Sequence, residues 1–353
     1  NDWLRLDDVS RCRLRITIKE YEKMSNSFKI YITREIPEAG LTLLHKNFGT
    51  NNVRYYNQPT PIPRDILLKE TKGCDAILSM LTDKIDAEVM DNAGPQLKII
   101  ANYAVGYDNI DIEEATKRKI CVTNTPGILT ETTADLAWAL ILASARRLGE
   151  GERLVRASQW AGWNPTLLLG VDVYGKTLGI FGMGRIGQAV ARRAMGFNMK
   201  VIYYDLMDVP LPPEIKATKV DKETLLRESD FISIHCPLTP QTYHAFKYED
   251  FKKMKRTACI INTARGPIID EEALAKALKE GLIFSAGLDV FEKEPEVHPD
   301  LLTCHNVILI PHLGSASIET RSKMAEVAAI NIISRLNGEV PPNLVNPEAL
   351  KRD

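Results

Sequence analysis

Residues 178–187 read LGIFGMGRIG, and this stretch decides the fold class of the chain. Its first four letters form an apolar run that predicts a β-strand, and the spaced glycines that follow predict a tight turn. Residues 188–195 then predict a helix, and the run Val201–Asp205 predicts the next strand. A strand, a glycine turn, a helix and a second strand in this order are typical of a parallel α/β sheet.

Each glycine of this turn has a physical reason to be there. Gly182 permits the tight turn, Gly184 lets the backbone approach a pyrophosphate, and Gly187 lets the helix pack on the strand. The N-terminus of the helix offers N–H groups and a partial positive charge to phosphates. A glycine motif alone is a weak signal, and a tight turn without a ligand is the alternative. The strands and helix around it favour a dinucleotide site.

Asp205 ends the second strand, close to the position about 20 residues beyond the turn where such sites carry an acid. A carboxylate there accepts hydrogen bonds from an adenosine ribose and repels a 2′-phosphate. The next residues, Leu206, Met207 and Asp208, supply no basic side chain to attract that phosphate. The sequence therefore predicts NAD as the cofactor, with NADP as the alternative.

Composition limits the remaining classes of protein. The chain has 353 residues, of which 44% are hydrophobic, and single cores usually stop growing at about 250–300 residues, so two domains are expected. With 45 basic and 46 acidic residues it has no electrostatic footprint for nucleic acid, and no apolar run approaches a membrane span. Six cysteines stand singly, which predicts buried, reduced thiols and a cytoplasmic location.

Short apolar runs alternate with amphipathic stretches along the whole chain, which predicts α/β architecture with mostly parallel sheets. The strands predicted for a first domain are Lys29–Thr33, Val53–Asn57, Ala76–Met80, Leu97–Asn102 and Cys121–Asn124. Those predicted for a second, doubly wound domain are Leu178–Gly182, Val201–Asp205, Phe231–Cys236, Ala258–Ala264, Ala286–Phe291 and Val307–Pro311.

A long helical pattern runs from Thr130 to about Ala157, and its middle is apolar almost all round. Such a helix must be buried, either in the core of its own chain or against another subunit. A further amphipathic helix is predicted from about Ser317 to Asn337. Residues 1–23 are charged and lack the apolar core of a signal peptide, so Met24 is interpreted as the natural start. A genuine targeting or regulatory arm is the alternative.

Three polar residues, Arg265, Glu294 and His312, follow successive predicted strands of the second domain. Ligands of open α/β sheets bind beyond the carboxyl ends of the strands. An arginine suits a carboxylate or carbonyl oxygen, a histidine transfers protons near neutral pH, and an acid can orient that histidine and favour its charged form. Taken singly, they could be a surface ion-pair arginine, a solvated acid and a structural histidine. Together they predict hydride transfer to a ketoacid.

Several stretches in the right order between Phe28 and Asn346 resemble the D-isomer-specific 2-hydroxyacid dehydrogenases. They are NYAVGYDNID at 102–111, TNTPG at 123–127, GMGRIG at 182–187, HCPL at 235–238, NTARG at 262–266, GLDV at 287–290, EP at 294–295 and PHLGS at 311–315. The resemblance implies two Rossmann-like or flavodoxin-like domains with a cleft between them. It implies a discontinuous substrate-binding domain, 27–124 plus 315–353, and a NAD-binding domain, 125–314. Residues 1–26 would form an extension, disordered or non-native.

The resemblance also implies roles for single residues. His312 would protonate the substrate oxygen as a hydride arrives from the nicotinamide, and Glu294 would hydrogen-bond His312. Arg265 would hold the substrate carboxylate and carbonyl, and the backbone N–H groups of Val105 and Gly106 would bind the carboxylate. Asp289 would bind the nicotinamide amide. The cofactor residues implied as a set are Thr133, Gly182, Gly184, Arg185, Ile186, Gly187, Asp205, Pro237, Thr242, Ala264, Asp289 and Gly314.

Within the family, the run WAGWNP at 160–165 looks most like glyoxylate/hydroxypyruvate reductases and 2-ketogluconate reductases. The resemblance implies a homodimer in which Trp163 reaches the substrate pocket of the neighbouring subunit, whereas a plain core position is the alternative. Many such reductases use NADPH and lack an acid at the position of Asp205, so the cofactor preference is in doubt. The expected reaction is NAD(P)H-dependent reduction of small 2-ketoacids, without a metal. Alternatives are 2-ketogluconate, phosphoglycerate or phosphite oxidoreduction, or a NAD-sensing corepressor.

Overall fold

The computed structural model describes residues 28–351, so the predicted N-terminal extension, Met24 included, lies outside the described residues. The chain divides into two compact units. One contains the residues up to Pro126 and those from Ser322 on, and the other is Gly127–Arg321. Each unit contains a parallel sheet whose strands alternate along the chain with helices, which confirms the predicted α/β fold class.

The first unit holds a five-stranded sheet in the order β2-β1-β3-β4-β5. Its strands are β1 (Ile30–Ile32), β2 (Val53–Tyr55), β3 (Ala76–Ser79), β4 (Ile99–Asn102) and β5 (Cys121–Thr123). The helices between them are α1 (Glu38–Phe48), α2 (Arg64–Thr71), α3 (Ala87–Ala93) and α4 (Ile112–Lys117). The central strands are buried along their whole length, as continuous apolar runs in a parallel sheet covered on both faces should be.

The second unit holds a seven-stranded sheet in the order β12-β11-β10-β9-β6-β7-β8. Its strands are β6 (Thr177–Phe181), β7 (Lys200–Tyr204), β8 (Ala217–Lys219), β9 (Phe231–Ile234), β10 (Cys259–Asn262), β11 (Ser285–Leu288) and β12 (Val307–Leu309). The helices are α5 (Thr130–Ala145), α6 (Leu148–Arg156), α7 (Arg185–Ala194), α8 (Lys222–Glu228), α9 (Tyr248–Phe251), α10 (Glu271–Lys279) and α11 (Pro299–Leu302), and α12 (Ile318–Leu336) begins in this unit and continues into the first. Short 3₁₀ helices lie at Thr50–Asn52, Met195–Phe197, Gly266–Ile268 and Pro347–Leu350.

Helix α12 carries the chain back to the first unit, to which its residues from Ser322 on belong. There it packs closely on α1: a Cβ atom at Gly40 would lie 2.7 Å from the carbonyl oxygen of Ala325. Ala325, Ala329 and Ile332 are fully buried in the same apolar cluster as β1. The small residues on both helices therefore allow the last helix to close the core of the first unit.

The long helix predicted from Thr130 to about Ala157 was wrong, because the structure breaks it into α5 and α6. Arg147 between them has a φ of 53°, which a continuous helix does not allow. The carbonyl oxygen of Ala145 accepts a hydrogen bond from the N–H of Val171, and the neighbouring Gly170 lies so close that a Cβ there would be 2.2 Å from that oxygen. A distant segment thus supplies the hydrogen-bond donor for the carbonyl oxygen at the end of α5.

The burial predicted for the apolar middle of this pattern is confirmed. In α5, Ala134, Ala137 and Ile141 are fully buried, and the indole of Trp138 stacks on Phe197 at 4.6 Å. The helix lies in the core of its own unit, with its contacts to α7 and to β10 and β11. Strand β8 was missed, because Ala-Thr-Lys is a short and largely exposed edge strand without an apolar pattern.

The cysteines of the described segment are free thiols, as predicted. Cys74, Cys121 and Cys259 are buried, and burial raises the pKa of Cys259 to about 12. Such thiols carry almost no thiolate at neutral pH and are therefore chemically inert. Between residues 28 and 351, no helix is both long and apolar enough to cross a membrane.

Candidate active site

The glycine turn after β6 has the geometry that its sequence predicts. Gly182 has a φ of 98°, and a Cβ there would lie 2.5 Å from the backbone nitrogen of Cys236. A Cβ at Gly187 would lie 2.3 Å from the carbonyl oxygen of Gly182, so the helix packs flush on the turn. A Cβ at Gly184, by contrast, would meet no atom within 4 Å. Two of the glycines are required by packing, whereas Gly184 borders open space.

Helix α7 begins at this open position. Gly184 is its N-cap residue, and no side chain of the described region caps it. Gly184 and the following Arg185 are exposed, whereas Gly187 is buried. Uncapped N–H groups, the positive end of the helix dipole and an exposed arginine are together the features that favour binding of phosphate groups.

Asp205 lies beside the turn and hydrogen-bonds to it. Its Oδ2 accepts the N–H of Met183 at 2.7 Å, and its Oδ1 accepts the N–H of Met207 at 2.9 Å. Lys219 donates to the carbonyl of Met207 beside Asp205 and is paired with Asp208. The sequence identified the acid but not its backbone partners, because turn and acid are brought together only by the pairing of β6 with β7.

Two buried polar atoms at neighbouring strand ends lack partners among the described residues. They are the Nδ1 atom of His235, after β9, and the hydroxyl of Thr263, after β10. Burial lowers the pKa of His235 to about 3, so this imidazole is neutral. Buried polar groups are normally satisfied, so these atoms point to a ligand or water at this edge. With the open Gly184, they fit a dinucleotide along the carboxyl edge of the seven-stranded sheet.

The three residues predicted for the chemistry are brought together at the same edge. His312 Nδ1 lies 2.9 Å from Glu294 Oε2, and the other oxygen of Glu294 accepts the N–H of Phe291 at 3.1 Å. Arg265 follows β10 and is close enough for its charge to act on Glu294. Both members of the pair are partly accessible, with side-chain exposures of 28% for His312 and 25% for Glu294.

The electrostatics of this pair favour a charged acid. Burial raises the pKa of Glu294, but the hydrogen bond and charge of His312, the N–H of Phe291 and the charge of Arg265 outweigh it, so the pKa falls below its usual value. Glu294 is therefore an anion at neutral pH. An anion at Nδ1 fixes a proton on that nitrogen and leaves Nε2 as the atom that exchanges a proton with a ligand.

The backbone of His312 is held in an unusual conformation. Its φ is 52°, in the left-handed region that favours glycine, at a cost of roughly 1–2 kcal/mol. Its N–H donates to the carbonyl of Asp289 at 2.9 Å, and the carboxylate of Asp289 accepts the N–H groups of Leu313 and Gly314 at 2.5 and 2.8 Å. Such strain persists where surrounding structure enforces it, which is common at functional sites.

Asp289 is fully buried, and burial raises its pKa above the usual range. The N–H groups of Leu313 and Gly314 and the charge of His312 offset this only in part. The hydroxyl of Thr133 donates to the carbonyl of Gly314 at 2.9 Å, which closes the network from the side of α5. These contacts show Asp289 as an organiser of the His312 loop, which the sequence could not reveal because its partners lie 24 and 25 positions away.

The remaining predicted cofactor residues lie in the loops after β9 and β10 and in the first turn of α7. The hydroxyl of Thr242 donates to the carbonyl of Pro237 at 2.7 Å and accepts the N–H of Thr239, which closes the loop after β9. The N–H of Ala264 donates to the side-chain oxygen of Asn262 at 3.0 Å. Ile186, in the first turn of α7, is partly exposed.

In the first unit, Val105 and Gly106 lie in the loop after β4. Their carbonyl oxygens each accept a side-chain amide at 2.8 Å, from Asn124 and Asn102 respectively. Their N–H groups have no partner within the described residues, and both residues are only partly buried. The loop therefore presents two backbone donors, as an anion-binding loop should.

Trp163 does not belong to the core of its own chain, because 83% of it is exposed. The alternative of a plain core position was therefore wrong. Neighbouring apolar side chains are also exposed, namely Trp160, Leu167 and Leu169. No cluster of side chains within residues 28–351 could hold a metal ion.

The chain is similar in sequence to a known protein family and to proteins of known activity. Residues 138–314 match the family "D-isomer specific 2-hydroxyacid dehydrogenase, NAD binding domain". A glyoxylate reductase from Korarchaeum cryptofilum is 54% identical over 327 residues, covering 92% of this chain and 97% of the relative. One from Pyrococcus horikoshii is 53% identical over 328 residues, with coverage of 92% and 97%.

A solved structure supports the same assignment. The NADPH-dependent glyoxylate/hydroxypyruvate reductase from Sinorhizobium meliloti, in complex with NADP and malonate, is 31% identical. The similarity covers 92% of this chain and 99% of that one, with a TM-score of 0.78. With its glycine turn, its strand-end residues and relatives of this identity, the chain belongs to the D-isomer specific 2-hydroxyacid dehydrogenase family.

Proposed function

We propose that this protein reduces small 2-ketoacids, with glyoxylate and hydroxypyruvate as the preferred candidates, to 2-hydroxyacids with a reduced nicotinamide dinucleotide. The observation that carries the proposal is the His312–Glu294 pair, 2.9 Å apart, at the edge of a nucleotide-type sheet with Arg265 beside it. Relatives that are about half identical over nine-tenths of the chain are named glyoxylate reductase.

When bound, the cofactor supplies a hydride to the carbonyl carbon of the ketoacid. The protein's own task is to handle the proton and the charges. His312 donates the proton from Nε2 to the carbonyl oxygen, because Nδ1 is held by Glu294. The anionic Glu294 stabilises the imidazolium form that donates. Arg265 holds the substrate carboxylate and polarises the carbonyl through its planar guanidinium.

The residues that would hold the cofactor are those of the open turn. The N-terminus of α7 with Arg185 would take the pyrophosphate, and Asp205 would take the adenosine ribose. Asp205 would repel a 2′-phosphate, and Lys219 near it is paired with Asp208. We therefore propose a preference for NADH, although the Sinorhizobium meliloti relative is titled NADPH-dependent.

Other parts of the proposal concern residues away from the pair. The N–H groups of Val105 and Gly106 are proposed as carboxylate donors. The exposed segment with Trp160, Trp163 and Leu169 is proposed as the contact surface of a homodimer. Monomeric proteins rarely expose several large apolar side chains in one segment. The free cysteines are consistent with a cytoplasmic location, where thiols stay reduced.

A substrate panel tests the proposal. NADH and NADPH oxidation would be followed by absorbance with glyoxylate, hydroxypyruvate and 2-ketogluconate, and the reverse reaction with phosphoglycerate and phosphite. Turnover of glyoxylate or hydroxypyruvate, faster with NADH, is the expected result. Exclusive turnover of phosphite or phosphoglycerate would replace the proposed substrate class. Cofactor binding without any turnover would favour a NAD-sensing regulatory protein.

A further inference from the structure

A second set of charged residues lies outside the groups already assigned to the reaction. One of them, Glu292, stands two positions before Glu294. The set comprises Glu292, Glu271 and His244, which we call the carboxylate clamp. The carboxylate of Glu271 accepts the N–H of Glu292 at 2.7 Å, and the carboxylate of Glu292 accepts the N–H of Glu271 at 2.8 Å. Each side chain therefore holds the backbone of the other residue, which pins the loop after β11 to the start of α10.

Holding two acids so close has an electrostatic cost that other groups offset only in part, so the pKa of Glu271 stays above its usual value. Burial raises the pKa of Glu271, which is only 4% exposed, the N–H of Glu292 lowers it, and the charge of Glu292 raises it again. His244 Nε2 lies 3.0 Å from the free oxygen of Glu292, Oε2, and His244 Nδ1 lies 3.9 Å from Asp270. The N–H of His298 also donates to Glu271, at 3.3 Å. These contacts satisfy both carboxylates.

The backbone of Gly266, the residue that follows Arg265, packs against the same loop. A Cβ atom at Gly266 would lie 1.9 Å from the carbonyl carbon of Phe291 and 2.4 Å from the nitrogen of Glu292. The peptide between Phe291 and Glu292 thus lies flush on the backbone of Gly266. Because this contact is between backbones, a shift of the Glu292 peptide toward Gly266 must move the segment that carries Arg265.

We propose that Glu292 is a positioning residue of the reaction: held by His244 and by the N–H of Glu271, it fixes the loop from which Glu294 contacts His312. This inference rests on the proposed function. The link to Glu294 is short, because the N–H of Phe291, beside the clamped peptide, donates to Glu294 Oε1 at 3.1 Å. The other oxygen of Glu294 is then presented to His312 Nδ1.

The size of the effect follows from how steeply catalysis depends on placement. A misplacement of about 1 Å far from the reacting atoms can lower a rate by roughly a hundredfold. Loss of the clamp leaves Gly266 and the Phe291–Glu294 bond in place, so a smaller displacement is expected. We therefore expect a loss of about tenfold in kcat for Glu292→Ala.

The experiment compares Glu292→Ala with Glu292→Gln and with Glu296→Ala. Gln keeps an acceptor for the N–H of Glu271, so it should restore most of the activity. Glu296 is the matched control, because it lies on the same loop, is exposed and has no side-chain bond within the described residues. Glu292→Ala should lower kcat for glyoxylate, leave KM and the Kd for NADH within about twofold, and move the alkaline limb of the kcat profile to lower pH. Glu296→Ala should change none of these.

A readout without substrate separates this inference from the proposed function. The proton on His312 Nδ1, hydrogen-bonded to Glu294, should give a downfield proton NMR signal that His312→Gln removes and thereby assigns. In Glu292→Ala this signal should weaken through faster exchange with water. This test works even if the protein reduces no ketoacid. If Glu292→Ala fails to fold, the same signal is measured in His244→Asn, which removes the imidazole that contacts Glu292. Asn tolerates the φ of 47° at position 244.

Two results would overturn the inference. One is an unchanged His312 signal together with a kcat profile of unaltered shape in Glu292→Ala. The other is a loss of kcat that equals the unfolded fraction measured by circular dichroism, with no movement of the pH limb, because that pattern reports only a loss of folded protein.

Discussion

In the seven-stranded sheet, the loops after β10, β11 and β12 carry Arg265, Glu294 and His312, whereas in the five-stranded sheet the loops after β3 and β4 are tied together by neutral amides. The amide of Asn109 donates to the carbonyls of Met80 and Asp83, both at 3.0 Å. One edge therefore concentrates partly exposed charged side chains, whereas the other has a buried acid, Asp83, and presents backbone N–H groups. Both sheets are parallel, and both edges are the ones where ligands of such sheets bind.

The contrast extends to the connection between the first strand and the helix that follows it in each sheet. The turn after β6 has an open glycine and an uncapped helix, whereas α1 begins after Pro37, which has no N–H to offer, and carries Glu38 in its first turn. A phosphate would be repelled by that acid and would find one donor fewer. Two sheets of one fold class thus differ in the ligands that their edges could bind because of a few residues, while their architecture is the same.

The largest expected effect comes from breaking the charged edge at its proton donor. His312→Gln keeps a polar side chain but cannot become a cation that donates the proton. We expect kcat for glyoxylate to fall by roughly 10³-fold, within the range typical of general acid catalysis. The Kd for NADH, measured by fluorescence, should stay nearly unchanged. A variant that keeps more than a tenth of the activity would remove His312 from the proposed role.

Arg265→Lys tests whether the charged edge needs a planar, two-pronged cation. A lysine keeps the charge but cannot bind carboxylate and carbonyl through two parallel bonds. We expect kcat/KM for glyoxylate to fall by about 30-fold, since a bond to a charged group contributes about 1.5–3 kcal/mol. Steady-state kinetics would show an intact KM and kcat if the charge alone were sufficient.

Glu294→Gln removes the anion beside His312 and should lower kcat by about tenfold, because the imidazolium loses its charged partner. The pKa of Glu294 is lowered in the folded protein, so its ionised form stabilises the fold above the pKa of the unfolded chain, and this stabilisation disappears as pH falls through the lowered value. Urea denaturation should therefore show wild type and Glu294→Gln converging in acid. A difference that grows as pH falls would contradict the sign of this shift.

The smallest effect is expected at the edge of the five-stranded sheet. Asn109→Ala removes the amide that ties the carbonyls of Met80 and Asp83, so the loop with Val105 and Gly106 should loosen. We expect KM for glyoxylate to rise about fivefold with little change in kcat, because the carboxylate donors proposed for this loop would bind the ground state and the transition state alike. A fall in kcat with unchanged KM would instead assign this loop to the chemical step.

Much of the charged edge could be predicted from sequence, because strand ends in a parallel α/β sheet converge on one side. This places Arg265, Glu294 and His312 together once the strands are recognised. The spacing of the motif also identified Gly187, which packs on Gly182 five positions before it, and Gly182, although the backbone that Gly182 contacts belongs to the distant Cys236. Local sequence patterns were thus sufficient to predict which residues meet wherever the order of strands brings them together.

What could not be predicted depends on segments that meet only in the folded chain. The break after Ala145 requires Val171, and the backbone partners of Asp289 lie in the loop after β12. The carboxylate clamp joins His244 to Glu292, which are 48 positions apart. No periodicity or motif marks such pairs, because each residue taken singly is an ordinary loop acid or histidine.

The most direct test of the central claim follows the transferred atom. The wild-type protein would be incubated with glyoxylate and NADH deuterated at nicotinamide C4, and the product would be identified by mass spectrometry. The account predicts glycolate that carries deuterium on C2 when the transferred position is labelled. Glycolate without deuterium from either labelled face of NADH, or no glycolate at all, would contradict it.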